Sequence, residues 1–150
     1  MKSLTNAPAL AVDRHEEKFL LNPGEAALVR GLLDGVLHRD RYSAAGAYYI
    51  RSLYFDTPFD NDYADKVLGV SDRRKVRLRI YSTDAAAARL ELKEKQGIYS
   101  HKTGVTQPRA QAQARIAGER DFLGRSADAA ARRAGNLLVQ EARRPAALID

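Results

Sequence analysis

The chain has no cysteine, which excludes disulfides and thiolate metal sites. No apolar run approaches the length of a membrane-spanning helix, and the N-terminus around Lys2 lacks the continuous apolar stretch of a secretory signal. There is no Gly-rich phosphate loop, no nucleophile elbow and no His-Glu metal helix. The histidines, His15, His38 and His101, are scattered without metal-ligand spacing, and no internal repeat is visible. If this chain handles phosphates, it must do so with side-chain cations rather than with a loop of backbone N–H groups. Arginine suits that task, because its planar fork grips phosphate oxygens in pairs.

What is present fits one domain with a core. The 150 residues are 45% hydrophobic, enough to argue against wholesale disorder. A formal net charge of +6 and a pI near 9.7 favour an anionic partner. With no cysteine, signal or spanning segment, the expected location is cytoplasmic and the expected state soluble, with no membrane insertion.

Three stretches place charges at every second position within strand-like segments: Arg14-His15-Glu16-Glu17-Lys18, Arg73-Arg74-Lys75-Val76-Arg77-Leu78-Arg79 and Arg89-Leu90-Glu91-Leu92-Lys93-Glu94-Lys95. Successive strand side chains alternate between faces, so each stretch gathers its charges on one surface. In the second and third stretches the other face is apolar, through Val76, Leu78 and Ile80, then Leu90 and Leu92.

Along the chain, residues 1–13 read as a loose tail and Arg14 to Leu21 as a first strand. Asn22-Pro23-Gly24-Glu25 has the signature of a helix start, with Asn22 as cap, Pro23 at the first helical position and Glu25 reaching back. Leu28, Leu32, Leu33, Val36 and Leu37 then follow at helical spacing, an apolar stripe that predicts packing. Tyr48 to Phe55 is rich in β-branched and aromatic residues and reads as a second strand. A short helix follows from Asn61 to Leu68, ending at Gly69. The charged runs around Arg77 and Glu91 form a hairpin through the turn Ser82 to Ala88, and Gln96-Gly97 turns toward a further strand over Tyr99 to Val105. After Pro108 two helices are expected, Arg109 to Phe122 and Ala127 to Glu141, and Arg144 to Asp150 reads as the lead-in to another strand. The predicted fold is α+β with a mainly antiparallel sheet, strand-rich over 14–106 and helical over 108–143.

A charged strand face is ordinarily a solvated surface. Such surfaces mix signs, because like charges side by side on a sheet are destabilising by roughly 0.2–1 kcal/mol per pair. Here Arg73, Lys75, Arg77 and Arg79 share one side of one strand, and its neighbour adds Lys93 and Lys95 against the single carboxylate Glu91. A dry core is excluded, since a buried ion costs several kcal/mol even after relaxation. The pattern implies an open or occupied cationic face. For Arg14, Glu16 and Lys18 the ordinary reading is a surface strand of weak ion pairs; the functional alternative gives Glu16 a divalent metal and turns Arg14 and Lys18 toward phosphates.

The run Tyr49-Ile50-Arg51-Ser52-Leu53-Tyr54-Phe55-Asp56-Thr57, followed by Tyr63, Gly69 and Arg73 to Tyr81, resembles the polyphosphate polymerase domain of the vacuolar transporter chaperone family. Leu90 to Lys95, Lys102 and the opening Arg14 to Phe19 continue the likeness in order, so it covers about residues 14–102. The resemblance implies a place in the triphosphate tunnel metalloenzyme superfamily, whose barrel has a basic lumen. It implies that Lys18, Arg51, Arg77, Arg79, Lys93 and Lys102 line that lumen and bind nucleoside triphosphate or polyphosphate, with Lys95 and Arg14 beside them. Arg77, Arg79 and Lys93 would carry the phosphoryl transfer. Glu16 matches a first-strand metal ligand, and Glu91 either binds metal or orders the neighbouring lysines. The implied cofactor is Mg²⁺ or Mn²⁺. Family members complete the tunnel with a second set of strands, so the expectation for this chain is an N-terminal portion. A longer protein, a second copy or a partner chain would complete it, unless the chain is a phosphate-binding remnant. The competing functions are triphosphate hydrolysis within the same superfamily and a non-catalytic polyanion- or RNA-binding module. Nucleic acid is disfavoured by the lack of an RNP-like motif or basic-aromatic interleaving.

Overall fold

The computed structural model describes residues 12–14, 17–38, 48–119 and 126–150, and divides them between two units, one of residues 1–15 with 50–150 and one of residues 16–49.

The smaller unit holds helix α1 (Pro23–Asp34). Its start is the one the sequence predicts: Asn22 Oδ1 accepts from the Glu25 N–H at 2.9 Å, the Asn22 N–H donates to Glu25 Oε2 at 2.8 Å, and Pro23 occupies the first turn. The stripe of Leu28, Leu32 and Leu33 stays exposed, so the expected packing of this helix is not found among the described residues.

The larger unit is a six-stranded sheet of order β1-β5-β4-β3-β2-β6, with every neighbouring pair antiparallel. In chain order it comprises β1 (Val12–Arg14), β2 (Arg51–Asp56), helix α2 (Asn61–Val67), β3 (Arg73–Ile80), β4 (Ala87–Gln96), β5 (Tyr99–Pro108), helices α3 (Arg109–Ile116) and α4 (Ala129–Gln140), and β6 (Arg144–Ile149). Gly69 follows α2 with a φ of 71°, and Gly97 turns β4 into β5 with a φ of 56°, both in the left-handed region that favours glycine.

The apolar face predicted for β3 and β4 is the core. Val76, Leu78, Leu90 and Leu92 are buried together with Ala112 of α3 and Ala131, Ala134, Leu137 and Leu138 of α4. Both helices pack on β4 and β5. Asp128 caps α4 by accepting from the Ala131 N–H at 3.0 Å. The chain is therefore α+β, with a mainly antiparallel sheet flanked by helices. The sheet is open, with β1 and β6 at its edges, and consistent with part of a tunnel-type barrel.

Two expectations need correction. The first strand is not Arg14 to Leu21 but Val12–Arg14, and residues 17–22 carry no strand. Its partner runs out: Arg14 pairs with Ser100, so two residues further on the ladder would meet the β4–β5 turn. Arg144 onward is not a lead-in but a strand in its own right, laid on the outer edge of β2. Its Pro145 is tolerated because this is an edge strand, where a missing N–H costs no ladder bond on the open side.

Candidate anion-binding face

The strand register assembles the charged positions. Arg77 faces Glu91, Lys75 faces Lys93, Arg79 faces Arg89 and Arg73 faces Lys95, while on the next strand Lys93 faces Lys102 and Glu91 faces Gly104. Residues directly opposite one another share a face. Arg73, Lys75, Arg77, Arg79, Arg89, Lys93, Lys95 and Lys102 therefore occupy the side of the sheet opposite the leucine core.

At the centre is Glu91, 1% exposed. Its Oε2 accepts from Arg77 Nε at 2.6 Å, and its Oε1 pairs with Lys102 Nζ at 2.7 Å and Arg89 Nε at 3.3 Å. Burial alone would push this carboxyl up, but Lys102 and Arg77 outweigh it and hold it below the usual carboxylate range. Arg77 is fixed further by a hydrogen bond from Nη1 to Tyr54 Oη at 3.1 Å, with its guanidinium 5.9 Å from the Tyr54 ring centre. Arg79 donates to Ser52 Oγ at 3.1 Å. Lys75 is pushed below its usual value by burial, with Lys66 and Arg73 adding repulsion. An anion seated on this face would relieve both the repulsion and the like-charge pairs across the strands.

The expected site residues separate into groups. Arg77, Arg79, Lys93, Lys95 and Lys102 share the face, and the register of Arg14 opposite Ser100 places its backbone position there too. Arg51 does not join them. It pairs with Ile80, on the side of the leucine core, and its Nη2 donates to Asp150 Oδ2 at 2.7 Å. Lys18 lies in the unit of residues 16–49, outside any strand, and Glu16 lies outside the described residues.

Both Glu91 oxygens lie within ion-pair distance of cations, Oε2 of Arg77 and Oε1 of Lys102 and Arg89, which favours an ordering role over a metal-binding one. No group of three His, Cys, Asp or Glu side chains suited to a metal occurs among the described residues. The arrangement supports the other role considered for Glu91, that of ordering the cations around it.

Two contributors escaped the sequence reading. Arg89 belongs to the charged run, but only the register shows that it reaches Glu91. Gly104 makes that reach possible: a Cβ there would stand 3.1 Å from Arg89 Nε and 3.3 Å from the Leu90 carbonyl oxygen. The one sequence signal was a glycine inside a strand, which often marks a close approach. A second buried ion cluster was also missed. Arg143, just before β6, clamps Asp62 of α2 through two hydrogen bonds of 2.5 and 2.8 Å, and its Nε donates to Glu141 at 2.8 Å. Burial pushes the Asp62 carboxyl up, with Arg143 only partly offsetting it.

A sheet covered by helices on one side, with rows of cations around the buried Glu91 on the other, makes this an α+β domain with one strongly cationic sheet face. The model of the VTC domain family matches residues 13–146, and the chain belongs to that family. At family level this relates it to polyphosphate. No curated protein matches the chain. No helix among the described residues is long and apolar enough to cross a membrane.

Proposed function

We propose that this face binds the phosphates of a nucleoside triphosphate and of polyphosphate, and supports phosphoryl transfer of the polyphosphate polymerase type. The observation that carries the reading is the pairing of like with like across the strands, at Lys75 and Lys93, Arg79 and Arg89, and Lys93 and Lys102, around the buried carboxylate of Glu91. Such a surface is more stable with a polyanion on it than without one. Arg77 and Arg79 grip phosphate oxygens in pairs, while Lys93, Lys102 and Lys75 supply point charges along the chain of phosphates. Phosphoryl transfer asks mainly for alignment and charge stabilisation, which suits a site with no nucleophile motif.

Two measurements on the purified chain test this. Tripolyphosphate should raise the melting temperature where sulfate at equal ionic strength does not. Incubation with ATP and Mg²⁺ or Mn²⁺ should then yield long-chain polyphosphate. Orthophosphate without chain growth would replace the polymerase reading with hydrolysis, and the absence of any tripolyphosphate effect would remove the phosphate site itself.

A further inference from the structure

Arg51 is turned away from the charged face, so what β2 brings to that face is a pair of hydroxyls. Ser52 stands opposite Arg79 and Tyr54 opposite Arg77, and each oxygen accepts a hydrogen bond of 3.1 Å from its arginine. On the far side of β2, β6 sets Ile149 opposite Ser52 and Ala147 opposite Tyr54. Neither has a polar side chain that could draw the hydroxyls away from the arginines. On their inner side the two arginines differ. Arg77 faces Glu91, whose Oε2 takes its Nε at 2.6 Å, whereas Arg79 faces the like-charged Arg89. Ser52 holds Arg79 by Nε, which leaves the Nη1–Nη2 edge, one that can grip two phosphate oxygens side by side.

A carboxylate would hold an arginine more firmly, but it would also offset the positive charge and repel phosphate. A hydroxyl fixes the guanidinium and leaves its charge whole. Fixing it beforehand matters, because a long side chain that is free in the unbound protein must give up rotamer freedom when it grips a ligand. We infer that Ser52 is the positioning residue for Arg79, and Tyr54 for Arg77: hydroxyls of β2 that set the two guanidiniums before a phosphate arrives. The inference rests on the phosphate-binding reading of the face and adds to it the means by which that face is preorganised. Ser52 is the sharper test, since Arg77 has a second hold in Glu91.

The experiment measures tripolyphosphate binding by calorimetry, in one magnesium buffer, for the wild type, Ser52→Ala, Ser52→Thr and Tyr54→Phe, and again for Ser52→Ala and Tyr54→Phe in an Arg79→Ala background. Ser52→Ala should weaken tripolyphosphate about 2- to 13-fold, the cost of ordering one long side chain on binding. Ser52→Thr returns the hydroxyl and should restore the affinity. In the Arg79→Ala background Ser52→Ala should change nothing further, because the hydroxyl acts only through that guanidinium. Tyr54→Phe keeps the ring and should weaken binding in both backgrounds, because it acts through Arg77; no loss in either would overturn the Tyr54 half of the inference. If Ser52→Ala binds as well as the wild type or better, or loses as much without Arg79 as with it, the role of Ser52 is overturned while the phosphate site stands. If the wild type does not bind tripolyphosphate, the phosphate reading fails and the positioning roles fail with it.

Discussion

At the scale of single residues, Glu91 determines the geometry of the charged face. Glu91→Gln keeps the shape and removes the charge, leaving Arg77, Arg89 and Lys102 crowded around a neutral amide. Losing one partner of a buried ionic cluster costs about 3–5 kcal/mol, a loss that urea denaturation should show directly. The same carboxylate sets a pH dependence. Its folded pKa lies below the ordinary value of 4.5, so its contribution is present above that value and is lost as pH falls through the folded one. Wild-type stability should therefore fall more steeply on acidification below pH 4.5 than that of Glu91→Gln. Arg79→Ala tests binding more cleanly than Arg77→Ala. Arg79 donates to the neutral Ser52 hydroxyl, whereas Arg77 also supports Glu91. Each charge-assisted contact is worth about 1.5–3 kcal/mol, so Arg79→Ala should weaken tripolyphosphate about 10- to 150-fold in a binding titration without lowering the melting point. The alternation of Arg73 to Arg79 made this face legible in advance. Alternation within one strand does not say which residue of the next strand stands opposite, so the hold of Arg89 on Glu91 over Gly104, and the placing of Arg51 opposite Ile80, were not legible.

At the scale of elements, the sheet depends on contacts that differ in how far they can be read from sequence. The start of α1 was readable because its hydrogen bonds span only three residues. The hairpin of β3 and β4 was readable because its strands are long, alternating and joined by a short turn. The strand β6 was not, because it is short, contains Pro145 and is rich in alanine; its identity comes from pairing with β2, some ninety residues earlier. What secures it is the tie from Arg143 to Asp62 on α2, reinforced by Glu141. Arg143→Met would leave the Asp62 carboxylate buried without its cation, at a cost of about 3–5 kcal/mol. Hydrogen exchange should show the β6 amides losing protection before those of β3 and β4, because Arg143 holds the chain just before β6 to Asp62 of α2 and to the Phe55 carbonyl of β2. Adding Asp62→Asn should recover part of the loss, the mark of a coupled pair. If β6 kept its protection in Arg143→Met, the strand would be held by its ladder with β2 alone.

At the scale of the molecule, the excess of +6 is concentrated where strands place cation beside cation, so salt should act on the free and the bound protein in opposite senses. Without a ligand, mobile ions screen the like-charge pairs, each costing roughly 0.2–1 kcal/mol, and sodium chloride should raise the melting temperature. With tripolyphosphate present at about 100 times its dissociation constant, the native state gains roughly 2.7 kcal/mol, which moves the melting point by several degrees. Raising salt shortens the screening length from about 10 Å at 0.1 M to about 3 Å at 1 M, comparable with the spacing between phosphate and cation. Ligand affinity must then fall, and the gain from a fixed tripolyphosphate concentration must shrink while the ligand-free baseline climbs. A melting series over this salt range, with and without tripolyphosphate, therefore yields two curves that converge. Parallel curves would mean that the protection comes from contacts other than the charged face. A ligand-free baseline that falls with salt would mean that the pairs at Lys75 and Lys93, and at Arg79 and Arg89, are already compensated within the protein, so that nothing about the face calls for a polyanion.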